Sequence, residues 1–396
     1  MKILIHDYPG HPFQVDLSRA LAEKGYEIYH LYTSASGGPK GELSSERDSL
    51  RIINIGGKKV RKQNFVKRMF QERAYGNKLV RWLDEIQPDM VLSSNTPLDA
   101  QRKIIDWCRS STVPFIFWLQ DINSIAIESI LSRKLGFFGD VVAYYYRNME
   151  KNLLQKSDHI ITIADEFNKV IARWGIDRNK ITTVPNWAPI EDIPVVEQSN
   201  GFAEEHGLTD KFVVLYSGTM GMKHDPEVIF DAAEKLQYIK DIVFVVISEG
   251  KGKNYLKQRM QENPLPNLKL LPFQPFEDFP KVLGAADCMV TLLEPSAGVY
   301  SVPSKVWSGF CAQKASVLVV PQENLAARIT DRIDAGINAS NAADFDLDEA
   351  VMYLYNNPQR KREMAKNARV YAEENFYVEE ICTRFEKIFE KVMGYN

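Results

Sequence analysis

Short apolar runs alternate with helical patterns along the first half of the chain. Residues 2–5 and 27–32 have the length and composition of strands, and residues 13–24 repeat their apolar positions at helical spacing until Gly25. The same pattern predicts further strands at 90–93, 114–119 and 159–163, with helices between them. This order predicts a parallel sheet wrapped by helices, because parallel strands need crossover connections.

The second half of the chain repeats this plan. Its predicted strands lie at 212–216, 242–247, 268–271, 288–293 and 316–320. Residues 186–200 contain two prolines and no clear period, so we place the linker there. The final segment, 377–396, carries one apolar helical face that needs a surface to cover: Ile381, Phe385, Ile388, Phe389 and Val392.

Length and composition agree with two soluble α/β domains. A chain of 396 residues exceeds what one hydrophobic core usually serves, and 45% hydrophobic with 26% charged residues is ordinary for a globular protein. The net charge of −3 gives no basis for nucleic acid binding, which needs a basic face. The start of the chain turns charged after three apolar residues, which indicates a first strand, and no run of 18 apolar residues predicts a membrane span.

Neither the cysteines nor the clustered aspartates indicate a metal site. Cys108, Cys288, Cys311 and Cys382 lie far apart with no CxxC pair, as expected for buried thiols of a cytosolic protein. Asp344, Asp346 and Asp348 lie in a polar stretch before the helix that contains Glu349, so we interpret them as part of a loop. We therefore expect no bound metal.

The turn at residues 216–227 is the most informative stretch of the chain. Gly218 and Gly221 let backbone N–H groups approach an anion, and Lys223 adds a full positive charge beside them. Asp225 is a good N-cap residue and Pro226 suits the first position of the following helix. The turn predicts a phosphate site; a tight turn with a solvated lysine is the alternative.

Polar and glycine-containing loops follow strands in both halves, at 10–14, 94–97, 120–124, 248–252 and 294–301. In doubly wound domains, ligands lie outside the carboxyl ends of the strands. Ordinary loops occur at the same ends, so only the five together indicate a binding cleft.

The chain resembles the retaining glycosyltransferases of family 4, which have the two-domain GT-B fold. The matching segments are HDYPGHPFQ at 6–14, WLQD at 118–121, VPNW at 184–187, YSGTMGMKHDP at 216–226, LPFQP at 271–275 and VPSK at 302–305. The resemblance is strongest to bacterial members that build cell-surface polysaccharides and glycolipids. It implies an acceptor-binding domain at 1–190, a nucleotide-sugar-binding domain at 191–376 facing it across a cleft, and a final helix at 377–396 that crosses back.

The resemblance implies that cations meet the diphosphate of a nucleotide-sugar donor, with a UDP-sugar favoured. Lys223 is the main candidate, and Lys305 on the first turn of a helix near 301–304 is the second. The family commonly has an arginine where this chain has Thr219, so one phosphate cation is either missing or supplied by Lys305 or Lys251. A solvated helix lysine is the alternative for Lys305.

The family's pair of glutamates around the donor sugar is incomplete here. Glu294 is kept as a donor-sugar contact, with a loop cap as the alternative, but Val302 or Ser308 stands where its partner belongs. The other residues assigned to donor binding by the resemblance are Gly10, Gly218, Thr219, Ser248, Phe273, Gln274, Tyr300, Ser301, Ser304 and Lys305. Phe273 and Gln274 match the place where relatives hold the base, although a core phenylalanine is equally consistent.

The first domain supplies the remaining candidates. Gly10 lets its loop approach the sugar or diphosphate, and His11 can donate to the acceptor or a phosphate, unless it is structural. Asp121 can accept a hydroxyl proton from the acceptor, or it is a turn or N-cap aspartate. The predicted activity is metal-independent sugar transfer to a hydroxyl of a glycan or a polyprenyl-linked acceptor. A sugar-nucleotide epimerase and a catalytically silent binding partner remain the alternatives.

Residues 58–81 contain nine Lys and Arg residues against one acid, Glu72, interleaved with apolar residues. A basic helix with an apolar face is typical of an interfacial membrane segment. A second candidate is 130–146, where basic residues border two phenylalanines and three tyrosines. We therefore expect a cytoplasmic protein that lies peripherally on the inner membrane surface; a solvated helix face is the alternative.

Overall fold

The computed structural model describes residues 1–34, 43–44, 47–56, 65–221, 224–298, 300–340 and 346–394. Its internal contacts divide the chain into two compact units. Unit 1 is Met1–Asn186 together with Val378–Asn396, and unit 2 is Trp187–Tyr377. The sequence analysis placed these divisions after residues 190 and 376.

Unit 1 contains a seven-stranded sheet in the order β3-β2-β1-β4-β5-β6-β7, and every neighbouring pair is parallel. Its strands are β1 Lys2–Asp7, β2 Glu27–Tyr32, β3 Leu50–Asn54, β4 Met90–Ser94, β5 Phe115–Leu119, β6 His159–Thr162 and β7 Ile181–Thr183. Its first helices are α1 Pro12–Glu23, α2 Phe65–Ile86, α3 Leu98–Ser110, α4 Asn123–Leu135, α5 Phe137–Lys156 and α6 Asp165–Ala172. The central strands are buried on both faces, as expected for a sheet covered by helices.

Unit 2 contains a six-stranded parallel sheet in the order β10-β9-β8-β11-β12-β13. Its strands are β8 Phe212–Ser217, β9 Ile242–Ile247, β10 Leu268–Leu271, β11 Cys288–Leu292, β12 Ala315–Val319 and β13 Gly336–Asn338. Its helices are α7 Gly201–Glu205, α8 Glu227–Leu236, α9 Lys251–Glu262, α10 Phe279–Gly284, α11 Lys305–Cys311, α12 Leu325–Arg332, α13 Leu347–Asn356 and α14 Pro358–Asn375. Both units are thus Rossmann-like, which confirms the predicted α/β class.

Three strands were missed by the sequence analysis: β3, β7 and β13. All three lie at sheet edges. β7 and β13 are only three residues long, and β3 is mostly half-buried or exposed, so none of them forms an apolar run. Their pairing with a neighbour, rather than their own sequence, defines them as strands.

The last helix, α15 Val378–Met393, packs on unit 1 as its apolar face predicts. Phe385 contacts Trp118 edge to face with ring centroids 4.9 Å apart, and Lys24 pairs with Glu386 at 2.8 Å. The C-terminus therefore returns to the unit in which the chain began.

Two further sequence interpretations are settled by side-chain contacts. All four cysteines are buried free thiols. Asp346 caps α13 in a capping box with Glu349, and Lys235 pairs with Asp346 and Asp348. The loop interpretation was wrong for Asp348, which lies in the first turn of α13, and Asp344 lies outside the described residues. In the part of the chain that the structure describes, no helix is both long and apolar enough to cross a bilayer.

Candidate functional site

The loops after β1 and β4 in unit 1 converge on one buried carboxylate, Asp7. Asp7 is the last residue of β1 and is fully buried. Its carboxylate accepts the backbone N–H of His11, lies 3.1 Å from His11 Nδ1 and accepts from Asn95 Nδ2 at 3.2 Å. His11, predicted from the sequence, is therefore held by a partner that the sequence analysis did not identify.

This contact fixes the chemistry of the imidazole. Burial alone would raise the pKa of the Asp7 carboxyl, but its charge interaction and hydrogen bonds with His11 lower that pKa, so Asp7 is ionised. Because an ionised carboxylate only accepts hydrogen bonds, this contact favours the tautomer that carries the proton on His11 Nδ1. The His11 side chain is 40% exposed, so a ligand can reach it.

Gly10 occupies a position that only glycine fits. Its φ is +71°, and a Cβ there would lie 2.9 Å from Cδ2 of Tyr32. Its backbone N–H donates to the carbonyl of Asp7 at 3.1 Å, which closes the turn toward His11. The backbone conformation and the nearby Tyr32 ring therefore require glycine at this position, whatever the loop binds.

A second layer of buried polar groups lies behind this loop. His6 on β1 contacts Thr96 Oγ1 at 2.7 Å and Tyr75 Oη at 3.0 Å. Burial lowers the pKa of His6 to about 3, so the ring is neutral and shares its two nitrogens with hydroxyl groups. Ser93 joins the same network through Thr96 at 3.0 Å. These contacts fix the ends of β1 and β4 relative to each other.

The loop after β5 contains Asp121, which is half-buried. The next helix, α4, begins at Asn123, and its first backbone N–H groups, those of Asn123 and Ser124, donate to the carboxyl of Glu150 at 3.0 and 2.9 Å. Glu150 is fully buried on α5, and this burial chiefly raises its pKa to about 7. The cap of α4 is therefore Glu150 and not Asp121, which removes the N-cap alternative for Asp121.

In unit 2, the turn after β8 brings Lys305 to Gly218. Lys305 Nζ lies 2.8 Å from the hydroxyl of buried Tyr216 and 4.1 Å from the centroid of its ring. Gly218 has a φ of +136°, and a Cβ there would lie 3.1 Å from Lys305 Cε. Thr219 is exposed on the same turn. The structure thus places Lys305 at the turn that contains Thr219.

Lys223 lies outside the described residues, but both sides of its position are defined. Gly221 N–H donates to His224 Nδ1 at 3.0 Å, and His224 N–H donates to the carbonyl of Gly221 at 3.2 Å. The helix after this turn, α8, begins at Glu227 with Pro226 as its N-cap residue, so it starts one position later than predicted. Asp225 still serves as a side-chain cap, because its carboxylate accepts the N–H of Glu227 at 3.1 Å.

The loop after β9 packs tightly against the same turn. Gly252 N–H donates to the carbonyl of Met220 at 3.0 Å, and a Cβ on Gly252 would lie 2.3 Å from Met220 Cγ. Ser248 is fully buried, and its hydroxyl donates to the carbonyl of Glu249 at 3.2 Å. Lys251 is exposed as the first residue of α9. The two loops therefore form one rigid edge of unit 2.

The segment after β11 holds the remaining donor-site candidates. Glu294 is half-buried at the start of a 3₁₀ turn, Pro295–Ala297, and its side chain makes no capping bond there, so the loop-cap alternative lacks support. Tyr300 and Ser301 are buried, whereas Ser304 is exposed as the N-cap residue of α11.

Asn324, which the sequence analysis did not single out, holds this segment in place. Its side-chain amide donates to the carbonyls of Gly298 and Ser301 at 3.0 and 2.8 Å. Phe273 and Gln274, the candidates for the base, are both half-buried, so Phe273 is not a core residue. Gln274 Nε2 donates to the carbonyl of Pro272 at 3.0 Å.

Comparisons with known proteins agree with this two-unit arrangement. The family model described as Glycosyltransferase Family 4 matches residues 13–192, and the one described as Glycosyl transferases group 1 matches residues 200–371. WcaI of Escherichia coli strain K12, whose name assigns it to glycosyl transfer in colanic acid biosynthesis, is 28% identical over 172 residues. That match spans 42% of this chain and 42% of WcaI.

Solved structures share the fold at low sequence identity. Sucrose-phosphate synthase from Thermosynechococcus elongatus aligns over 100% of both chains with a TM-score of 0.77 and 12% identity. HepE from Anabaena, solved in complex with UDP-glucose, aligns over 100% of both chains with a TM-score of 0.71 and 16% identity. The chain belongs to the GT-B glycosyltransferases of family 4, with a family 4 unit followed by a group 1 unit.

Proposed function

We propose that this protein is a retaining glycosyltransferase that moves a sugar from a nucleoside diphosphate donor to a hydroxyl group of a glycan or polyprenyl-linked acceptor. The observation that carries the proposal is the placement of Lys305 against Tyr216 and Gly218 at the turn after β8. The name of WcaI refers to polysaccharide biosynthesis, so we propose a hexosyl or N-acetylhexosaminyl donor for this protein. Because the HepE structure contains UDP-glucose, we favour a uridine nucleotide.

The charge arrangement of unit 2 suits a departing diphosphate. Departure of the nucleotide leaves negative charge on the pyrophosphate, and fixed cations with backbone N–H groups stabilise that charge. Lys305 is held in place by a buried phenol, and Lys223 stands in the adjacent sequence. Lys305 thereby supplies the charge that the threonine at 219 cannot.

Unit 1 supplies the groups proposed for the acceptor and the sugar. His11 presents Nε2 from a loop fixed by Asp7, so it can donate to a phosphate or hydroxyl oxygen when protonated. Asp121 is the proposed acceptor of the hydroxyl proton, and Glu294 of unit 2 the proposed contact with the donor sugar. Each role follows from the resemblance and from accessible placement at the carboxyl ends of strands.

The test of the phosphate role is Lys223→Ala with donor and lipid-extract acceptor. We expect turnover to fall by about 10²-fold or more, as for removal of one fixed donor to a developing charge, with the fold intact by circular dichroism. Lys257→Ala, an exposed lysine on α9, is the matched control and should retain full turnover. Wild-type turnover in folded Lys223→Ala would contradict the role.

The same assay separates the alternatives. An epimerase would convert the donor with no acceptor present, and a silent binding partner would be stabilised by UDP in a thermal shift assay without forming product. Because lysines are proposed to neutralise the diphosphate, EDTA should leave turnover largely unchanged. Activity that disappears with EDTA and returns with Mg²⁺ or Mn²⁺ would contradict the metal-independent site.

We further propose that the protein acts at the cytoplasmic face of the membrane, where a polyprenyl-linked acceptor is located. Within the basic segment 58–81, residues 58–64 lie outside the described residues and described side chains begin at Arg68. Arg68 pairs with Glu72 at 2.5 Å and Arg73 with Asp99 at 2.8 Å, so these two cations are partly neutralised. The other cations of the segment carry the proposed attraction to anionic lipids.

A further inference from the structure

One face of α5 is an apolar stripe that points to solvent. Its members are Phe137, Phe138, Val141, Tyr144 and Tyr145, with exposures of 77, 76, 54, 66 and 42%. The spacing of these positions matches two turns of one helical face. The opposite face, with Tyr146, Met149 and Leu153, is buried in unit 1. Folding of unit 1 therefore leaves a second apolar face on the same helix exposed.

The stripe begins at the tip of a helical hairpin. α4 and α5 pack along each other and are joined at Gly136, whose φ is +51°. Phe137 and Phe138 follow this glycine directly, with ring centroids 6.1 Å apart. Large exposed apolar patches on a folded unit usually mark a contact surface.

A buried carboxylate joins α5 to the basic helix α2. Asp99, buried on α3, accepts from Arg73 Nε of α2 at 2.8 Å and from the Tyr146 hydroxyl of α5 at 2.7 Å. Arg73 also interacts with Tyr145, a member of the stripe. On α2, one turn before Arg73, Phe70 is 61% exposed. The α2 and α5 helices therefore approach each other at Arg73 and Tyr145.

We infer that the apolar stripe of α5 and the basic helix α2 form one surface that docks on an anionic lipid bilayer. Residues 65–81 contain five Lys and Arg residues and one acid, so this part of α2 carries a net positive charge. Phenylalanines suit the acyl boundary and tyrosines suit the headgroup layer. A second copy of the chain is a poorer partner, because it would present the same cations to each other.

This inference depends on the proposed function only in that a lipid-linked acceptor would require membrane binding. Its test measures vesicle binding and not turnover. The full-length chain is floated with vesicles of phosphatidylglycerol and phosphatidylcholine. Phe137→Ser with Phe138→Ser should reduce the bound fraction by about tenfold or more, because two aromatic rings no longer leave water. Tyr238→Ser, which removes a 73% exposed aromatic from unit 2, is the matched control and should float like the wild type.

Charge and insertion are tested by two further arms. The charge arm replaces six cations by Gln: Lys58, Lys59, Arg61, Lys62, Lys67 and Arg68. This variant should bind the vesicles more weakly than the wild type, and its binding should depend less on salt concentration. Phe138→Trp should show a blue-shifted emission and quenching by brominated lipid only when vesicles are present.

Three results would overturn the inference. They are equal flotation of wild type and the serine variant, no flotation of the wild type at low salt, or a wild-type dimer that the serine substitutions dissociate without any vesicle binding. UDP binding, measured by thermal shift on the same samples, reports on the proposed function. A variant that no longer binds vesicles but still binds UDP would show that the two activities are separate. A wild type that floats with vesicles but does not bind UDP would contradict the proposed function and not the docking surface.

Discussion

Glu150→Gln is expected to remove a pH dependence of stability that originates beneath the Asp121 loop. Glu150 is fully buried and accepts the backbone N–H groups of Asn123 and Ser124, the first residues of α4. Burial raises its pKa from 4.5 to about 7, although the hydrogen bonds from α4 oppose the shift. The folded protein therefore holds this proton at pH values where the unfolded chain has released it.

The sign and size of the effect follow from that difference. Between pH 4.5 and 7 the folded state binds more protons than the unfolded state, so the contribution of Glu150 to the free energy of unfolding falls as pH rises. One pKa unit corresponds to about 1.4 kcal/mol, so the loss between pH 5 and pH 8 is about 2–3 kcal/mol. Glutamine does not titrate, and it costs about 1–2 kcal/mol through one mismatched bond to α4.

The measurement is the urea unfolding of wild type and Glu150→Gln at pH 5, 6, 7 and 8. The difference between the two proteins cancels the titrating groups that do not interact with residue 150. We expect the wild type to be the more stable protein at pH 5 and to lose that advantage by pH 8. Glu85→Gln, a substitution at an exposed position on α2, should give a difference that does not vary over this range.

The direct readout is the carboxyl carbon resonance of Glu150 in protein labelled with carbon-13. A titration midpoint near pH 7 is expected. A midpoint near 4.5, or a stability difference that is constant from pH 5 to pH 8, would refute the argument, because either result means that the buried carboxyl stays ionised at no cost.

Two substitutions at the proposed site give further predictions. Lys305→Met keeps the packing against Gly218 but removes the charge. We expect kcat/KM, measured as UDP release with acceptor present, to fall by about 10²-fold and the melting temperature to change little. Turnover equal to that of the wild type would show that Lys305 does not contact the diphosphate. Asp7→Asn should lower kcat by at least about tenfold and change KM less, because the amide no longer holds the His11 ring as the carboxylate does. Asp7→Glu should restore part of the rate, whereas an unchanged kcat in folded Asp7→Asn would exclude a role for this contact in turnover.

The fold was predictable because the central strands are long apolar runs between amphipathic helices. β2, β9 and β10 have the predicted bounds, since each has a glycine, proline or polar boundary close to its ends. The missed strands, β3, β7 and β13, lie at sheet edges where few positions are buried. These three strands are defined mainly by pairing with one neighbour, which a local pattern does not contain, whereas the edge strand β10 was predictable because three of its four residues are leucines.

Candidate residues could be named from single loops, whereas the contacts that hold them depend on the folded chain. Gly10, His11 and Gly218 stand in loops after strands, where their residue types made them candidates. Asp7 reads as the charged end of a strand, and Glu150 as one acid on a long helix. Only the fold shows that Asp7 meets His11 and that Glu150 meets the start of α4.

Both units use buried polar groups to fix loops at the carboxyl ends of their strands. In unit 1, Asp7 holds the loop of His11, and in unit 2 the amide of Asn324 holds the segment that leads to α11 and Lys305. Such groups cost free energy when buried and repay it only if their hydrogen bonds are made, so each loop has one favoured conformation. Fixed donors and cations stabilise developing charge without reorganising, which is what transfer from a nucleoside diphosphate requires. The buried partners, and not the exposed residues alone, therefore set how well such a site can act.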